Sequence, residues 1–235
     1  MKSKIFTFWE GSLPGYLKLC MDSWKLPVTI LTFSNVSQYT NPLPTKLRQF
    51  ALAKVADYVR VHVLRDSGGI WLDADTIMLG NDLPDATICG NSLTRANTIG
   101  FLRADAHDEM FTMWAAFQEF VLQRTPIMKG KDTTKWDIFG NSFTDKFLKL
   151  HHEIVISDIS PRWPETYMIS DAVSRKRKYT DFYFSKTYCL ADITQKPDII
   201  MLHNSWTPGW VKKLDADDVL KLPCTLANIL REVIK

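Results

Sequence analysis

Residues 55–79 read VADYVRVHVLRDSGGIWLDADTIML, and the order of their elements decides the fold. Apolar residues surround most of the circumference of the first half, which predicts a helix buried on several sides. That helix is expected from Lys46 to Arg65. Ser67-Gly68-Gly69 ends it, because glycine takes the left-handed backbone at a helix C-terminus without a Cβ penalty. Ile70 to Leu72 then forms a short apolar strand running straight into Asp73-Ala74-Asp75. Ligands of open α/β sheets bind at the carboxyl ends of strands, where both aspartates stand. Two neighbouring carboxylates repel each other. A hard divalent cation such as Mn²⁺ or Mg²⁺ relieves this and keeps positions open for phosphate oxygens.

An Asp-x-Asp tripeptide is weak evidence alone. With 20 aspartates in 235 residues, chance supplies about 1.7 of them. Asp215-Ala216-Asp217 is spelled identically, but it lies in a polar stretch where Asp217 or Asp218 suits a helix N-cap. Only the first copy follows a glycine pair and an apolar strand. On the preceding helix, at about 100° per residue, Asp57 shares a face with Phe50, Ala53, Val61 and Leu64, flanked by Lys54 and Arg60. A carboxylate there needs a partner or a task. An i,i+3 pair with Arg60 is one reading and a ligand contact is the other.

Working outward, Lys4 to Trp9 and Val28 to Phe33 read as strands, and Leu13 to Lys25 has helical spacing. Thr98 to Leu102, Glu153 to Ser157 and Ile199 to His203 are further strands. His107 to Arg124, Ser142 to His151 and Asp217 to Lys235, interrupted at Pro223, are further helices. The alternation predicts an α/β fold with a mostly parallel central sheet flanked by helices. With no repeat or linker in view, residues 1–235 are expected to form one domain, a ligand-binding half at 1–105 and an acceptor-side half at 106–235.

Composition excludes more than it identifies. The chain is 46% hydrophobic and 23% charged, with a formal net charge of +3, which suits a globular protein and gives no strong nucleic-acid footprint. Cys20, Cys89, Cys189 and Cys224 are too dispersed for close zinc-type pairs. The start, MKSKIFTFWEG, lacks a signal-like apolar run, and Leu26 to Thr45 is too interrupted for a membrane span. A reduced, cytoplasmic protein is expected.

A helix followed by GGIWLDAD, with an Asp-x-x-Arg one helix earlier, resembles the DXD glycosyltransferases of the GT-A fold. The nearest groups are glycosyltransferase family 32 and the capsular polysaccharide synthesis proteins, and more distantly the large clostridial glucosylating toxins. FTFWEG, followed by Asp22-Ser23-Trp24, also resembles the start of the capsular group. The resemblance covers residues 5–79 and 201–206, and the middle of the chain matches loosely. It implies a single nucleotide-sugar-binding domain and a metal-dependent transfer from a nucleotide sugar, UDP-linked by preference, to a glycan, lipid-linked or other hydroxyl acceptor. Retention of configuration is implied as well.

By resemblance, Asp75 and Asp73 bind the metal, with Asp73 also on the ribose or sugar. Asp57 and Arg60 hold donor-sugar hydroxyls, His203 completes the metal site, and Trp206 closes over the diphosphate or sugar. Trp9, at a strand end, could stack on the nucleobase or serve the core. Asp137 to Ser142 resembles a loop lining the sugar pocket, against a plain helix N-cap by Asn141 or Ser142. No catalytic base is legible. Arg175 to Lys178 reads as a solvated face, or as a peripheral contact with an anionic membrane or a polyanion. The rival functions are a metal-dependent nucleotidyl or phosphoryl transferase and a binding module without turnover.

Overall fold

The computed structural model describes residues 4–80, 82–91, 96–128, 131–132, 135–158, 172–192 and 198–235. These group into two compact units that interleave along the chain. The first comprises residues up to Gly11, Pro27–Asp73 and Asp85–Asp158, and the second Ser12–Leu26, Ala74–Pro84 and the residues from Ile159 onward.

A six-stranded sheet carries the first unit. Its strands are β1 (Ile5–Phe8), β2 (Val28–Leu31), β3 (Gly69–Leu72), β5 (Ile88–Asn91), β6 (Ala96–Ala104) and β9 (Ile156–Asp158), in the order β2-β1-β3-β6-β5-β9. The β1–β2, β1–β3 and β5–β9 pairs are parallel, whereas β6 runs antiparallel to both of its neighbours, and β7 (Ile127–Met128) and β8 (Lys131–Asp132) form a separate antiparallel pair. The expected α/β class with a mostly parallel central sheet is therefore observed. Helix α2 (Leu52–Ser67) packs on β1, β3 and β6 and against α3 (Glu109–Arg124), and α4 (Asn141–Leu150) covers β6. Trp71, Tyr58, Phe111, Trp114 and Phe139 are almost completely buried in this core. Each such large side chain contributes about 1.5–3 kcal/mol relative to exposure.

The predicted helix start at Lys46 is corrected. Thr45–Gln49 is a 3₁₀ turn, Phe50 is extended, and the α-helix begins at Leu52. Phe50 turns its ring onto Phe139, with centroids 5.4 Å apart. An apolar spacing that continues through a 3₁₀ turn cannot reveal this break from the sequence. Phe50 thus leaves the helical face assigned to Asp57, and Ala53 on that face is exposed. The other end behaves as expected: Gly68 has φ 61° and donates its N–H to the Leu64 carbonyl at 2.9 Å. A Cβ on Gly69, at φ 111°, would come 2.6 Å from the Lys4 oxygen, so the glycine pair lets β3 close against β1.

The second unit holds the antiparallel pair β4 (Thr76–Met78) and β10 (Ile199–Met201), with helices α1 (Gly15–Asp22), α5 (Ala172–Phe184), α6 (Ala216–Lys221) and α7 (Thr225–Val233). Helix α1 packs on β4 and α6, while α7 packs on α5 and α6. Trp24 donates its indole N–H to the Thr76 carbonyl at 2.7 Å, and the Ser23 hydroxyl accepts from the Met78 N–H at 2.9 Å. These bonds tie the loop after α1 to β4. Asp215, rather than Asp217 or Asp218, caps α6, accepting from the Asp218 N–H at 2.8 Å. The basic run lies on α5, where Lys176, Arg177 and Lys178 are exposed while Tyr179, Phe182 and Tyr183 are buried.

Candidate functional site

In the first unit the chemistry gathers on the face of β3 that α2 covers. Side chains two residues apart on a strand share a face, so Trp71 and Asp73 point the same way, toward Arg60. Arg60 Nη2 lies 2.8 Å from Asp57 Oδ1 and 3.1 Å from Asp73 Oδ1, and Nη1 donates to the Ile99 carbonyl. The Trp71 indole N–H reaches the same Asp73 Oδ1 at 2.9 Å, and the guanidinium stands 5.1 Å from the Trp71 ring centroid. Arg60 is nearly inaccessible, at 4% side-chain exposure, against 14% for Asp57 and 35% for Asp73. One arginine thus clamps two carboxylates, and the second keeps an open side. Among the described residues Asp73 Oδ2 has no protein hydrogen bond.

Both readings of Asp57 are compatible with this arrangement, since the i,i+3 pair exists and belongs to a larger cluster. Burial pushes the Asp57 carboxyl up to about 7, Arg60 opposes that shift, and the Asp73 and Asp137 charges add to it. Asp57 therefore titrates near neutrality, able to donate or accept a hydrogen bond.

Two residues that support it were missed. Gln118, fully buried on α3, donates its Nε2 to the Asp57 carbonyl at 2.9 Å and to the Phe139 carbonyl. Gly140 leaves room for the acid: a Cβ there would lie 3.2 Å from Asp57 Oδ2 and 2.5 Å from Ile99 Cδ1. A lone polar residue on the apolar face of Phe111, Trp114, Ala115 and Leu122 was the available signal for Gln118. The Asp137–Ser142 loop is thereby placed against Asp57. The N-cap expected there is corrected, because Gly140 occupies the cap position and α4 starts without a side-chain cap. Trp9, half-buried, follows β1 at the same carboxyl edge of the sheet, its N–H bonded to the Leu31 carbonyl at 3.0 Å.

The second unit holds Asp75. Pairing of Thr76 with Met201 brings the residues after β10 alongside it: the Asp75 carbonyl accepts from Leu202 N–H at 2.9 Å, and Asp75 Oδ2 accepts from Asn204 N–H at 2.7 Å. The Asn204 side-chain oxygen in turn accepts from the Tyr16 hydroxyl. Burial, with the Asp75 charge second, holds that phenol far above its usual range. His203 and Trp206 are partners, with ring centroids 4.1 Å apart, and Tyr179 meets both rings edge-on. The Tyr179 hydroxyl accepts from the His203 N–H at 3.1 Å. Lys212 lies in the field of Asp75: burial lowers its ammonium pKa, Asp75 opposes the shift, and Lys176 reinforces it. Tyr16, Tyr179, Asn204 and Lys212 were not anticipated, because long-range strand pairing assembles them.

Asp57, Arg60 and Asp73 thus form one cluster, and His203 and Trp206 form an aromatic pair in the unit that holds Asp75. Among the described residues no three His, Cys, Asp or Glu side chains are grouped as a ready-made metal cage. The donor types still suit a hard cation. Mg²⁺ and Mn²⁺ use oxygen ligands, and Mg²⁺ typically binds through one or two carboxylates while substrate phosphates and water fill the remaining positions.

The fold is therefore α/β, with arginine-clamped carboxylates at the carboxyl edge of its sheet. The chain belongs to the capsular polysaccharide synthesis protein family, whose model matches residues 1–139. That match contains Trp9, Asp57, Arg60, Asp73 and Asp75, whereas His203 and Trp206 lie beyond it. A solved structure described as the PaToxG glycosyltransferase is similar at 14% identity and a TM-score of 0.42, over 65% of this chain and 71% of that one. No curated protein matches the sequence. Among the described residues no helix is long and apolar enough to cross a membrane.

Proposed function

We propose that this protein is a metal-dependent glycosyltransferase that moves a sugar from a nucleotide-sugar donor, UDP-linked by preference, to a hydroxyl on a glycan or lipid-linked acceptor. The observation that carries the reading is the Asp57–Arg60–Asp73 cluster at the end of β3, in a member of the capsular polysaccharide synthesis family. A nucleotidyl transferase would need the aspartate pair but has no evident use for a near-neutral carboxyl one helix away. A donor sugar does. Asp57 would accept from or donate to its hydroxyls, with Arg60 fixing the carboxylate beside them. Retention of configuration rests on the family resemblance alone.

Within the second unit Asp75 and His203 would hold the divalent ion, Mn²⁺ or Mg²⁺, and within the first unit Asp73 would offer its open oxygen to the donor's ribose or sugar. When bound, it supplies Lewis-acid stabilisation of the negative charge that develops on a departing diphosphate. The chain's own contributions are positional. The Asn204 N–H orients the Asp75 carboxylate, Arg60 and the Trp71 indole orient that of Asp73, and Trp206, seated on His203, would cover the diphosphate or sugar. Trp9 would stack on the base.

The test is donor hydrolysis across a panel of UDP- and GDP-sugars with Mn²⁺, with and without chelator. Asp75→Asn retains an oxygen that can accept from Asn204 but loses the charge. We expect turnover to fall by about 10² or more, with a melting temperature within about 2 °C of the parent. Full activity of that variant, or in excess chelator, would overturn the proposal. Nucleoside triphosphate turnover without sugar release would replace it with nucleotidyl transfer.

A further inference from the structure

A cavity among the described residues lies away from the aspartates. It occupies about 340 Å³ in the first unit, between the Asn41–Lys46 loop and the facing sides of α2 and α3. Tyr58, His62 and Arg65 line it from α2, on a different side of that helix from Asp57 and Arg60, and Glu119 lines it from α3. Its volume is at the small end of the roughly 300–1,000 Å³ of ligand pockets, enough for one small ring rather than a nucleotide.

The charges in this wall are already matched. Arg65 spans both Asp66 oxygens, at 2.6 and 3.0 Å, and reaches Glu119 Oε1 at 3.3 Å. Lys46 donates to the Leu122 carbonyl at 2.6 Å. His62 is held neutral, pushed down to about 3 by burial and by Arg65. With the cations spoken for, an anion gains little here. What remains unmet is hydrogen-bonding capacity. The His62 ring is 4% exposed and backs the wall behind Tyr58. The hydroxyl of Tyr58, stacked on that ring at 4.0 Å, makes no protein hydrogen bond among the described residues. Glu119 is half exposed and presents an acceptor. Prolines 42 and 44 and Leu122 supply apolar wall for C–H groups.

We propose that this cavity is a second binding site, for a small neutral polyhydroxylated ligand such as a single uncharged sugar ring. Its hydroxyls meet Tyr58 and Glu119 while its C–H face lies on the proline-lined loop. The proposal stands whether or not the aspartate cluster transfers sugar.

The test is ligand-observed NMR on the full chain with D-glucose, D-galactose, N-acetylglucosamine and myo-inositol, alongside glucose 1-phosphate as the anionic counterpart. At least one neutral probe is expected to bind in the millimolar range. Glu119→Gln and Tyr58→Phe should each weaken it, the former by about tenfold, the loss expected for a charge-assisted hydrogen bond. Asp57→Asn should leave it unchanged, which separates this site from the aspartate cluster. Absence of binding at about 50 mM of every neutral probe, binding indifferent to both cavity variants, or tighter binding of the phosphate would each overturn the proposal.

Discussion

Replacing Arg60 by methionine keeps an apolar stem of similar length and removes one buried cation. That cation serves Asp57, Asp73 and the Ile99 carbonyl. Breaking a buried ion pair costs about 3–5 kcal/mol, because the orphaned charge remains. At about 2–4 °C per kcal/mol for a chain of this size, the melting temperature should fall by roughly 6–20 °C. The pH dependence separates this explanation from a simple packing loss. In the parent, Asp57 titrates at about 7 when folded, against an ordinary value of 3.8. The folded state therefore binds the proton more strongly, and stability declines as pH rises from about 4 to about 7, then no further from this group. Arg60 holds the folded value down, so without it the decline continues above pH 7, at up to about 1.4 kcal/mol per pH unit. Urea unfolding of parent and variant at pH 6 and pH 8.5 should show a destabilisation about 1–2 kcal/mol larger at the higher pH. A penalty below about 1 kcal/mol, or one equal at both pH values, would refute the clamp as the force that holds the Asp57 pKa down against burial.

Two glycines offer sharper steric tests. A Cβ on Gly15 would collide with the backbone of Asp215 and Ala216, which cannot rotate away, so Gly15→Ala should cost about 3 kcal/mol in thermal melts. Gly209→Ala, with nothing within 4 Å, should change stability by less than about 0.5 kcal/mol and serves as the control. At Gly140 the Cβ would meet the flexible end of Ile99 and the Asp57 carboxylate, so Gly140→Ala should cost about 1–2 kcal/mol. Donor hydrolysis should fall beyond what that stability loss explains, and an unchanged rate would remove Gly140 from the site.

What could be read from the sequence was local. Gly68-Gly69, an apolar strand and Asp73 follow one another, and each neighbour constrains the next, so β3 and its acid were legible. The Asp57–Arg60 pair was equally so, because i,i+3 spacing is a property of the helix itself. The identical Asp215-Ala216-Asp217 was separable by context as a helix start, although the cap there is Asp215 and not the expected Asp217 or Asp218. What escaped depends on pairings across long stretches of chain. Thr76–Met78 is only three residues long and carries no strand signal of its own, yet it pairs with Ile199–Met201. That single register brings Asn204 to Asp75, and nothing within a few residues of either one announces it. Gly140 was passed over in favour of Asn141 and Ser142 as caps for the same reason: a Cβ on it would lie beside an acid 83 positions earlier.

The clamp also explains why arginine stands at position 60. A lysine ammonium is a compact point charge, whereas the planar guanidinium can serve two carboxylates and a carbonyl through a fixed fork while stacking near an indole. Nη2 is shared by Asp57 Oδ1 and Asp73 Oδ1, and Nη1 serves Ile99 on the neighbouring strand. Asp73 Oδ1 is thereby committed twice, to Arg60 and to Trp71. Whatever Asp73 binds must approach its other oxygen, on the exposed side of a carboxylate whose orientation is already set. Preorganisation of this kind has a cost, the burial of Arg60 and the near-neutral titration of Asp57. A chain needing only a stable core would do as well with apolar residues there. The cluster is therefore better explained by the donor-binding role proposed for it than by the stability it contributes.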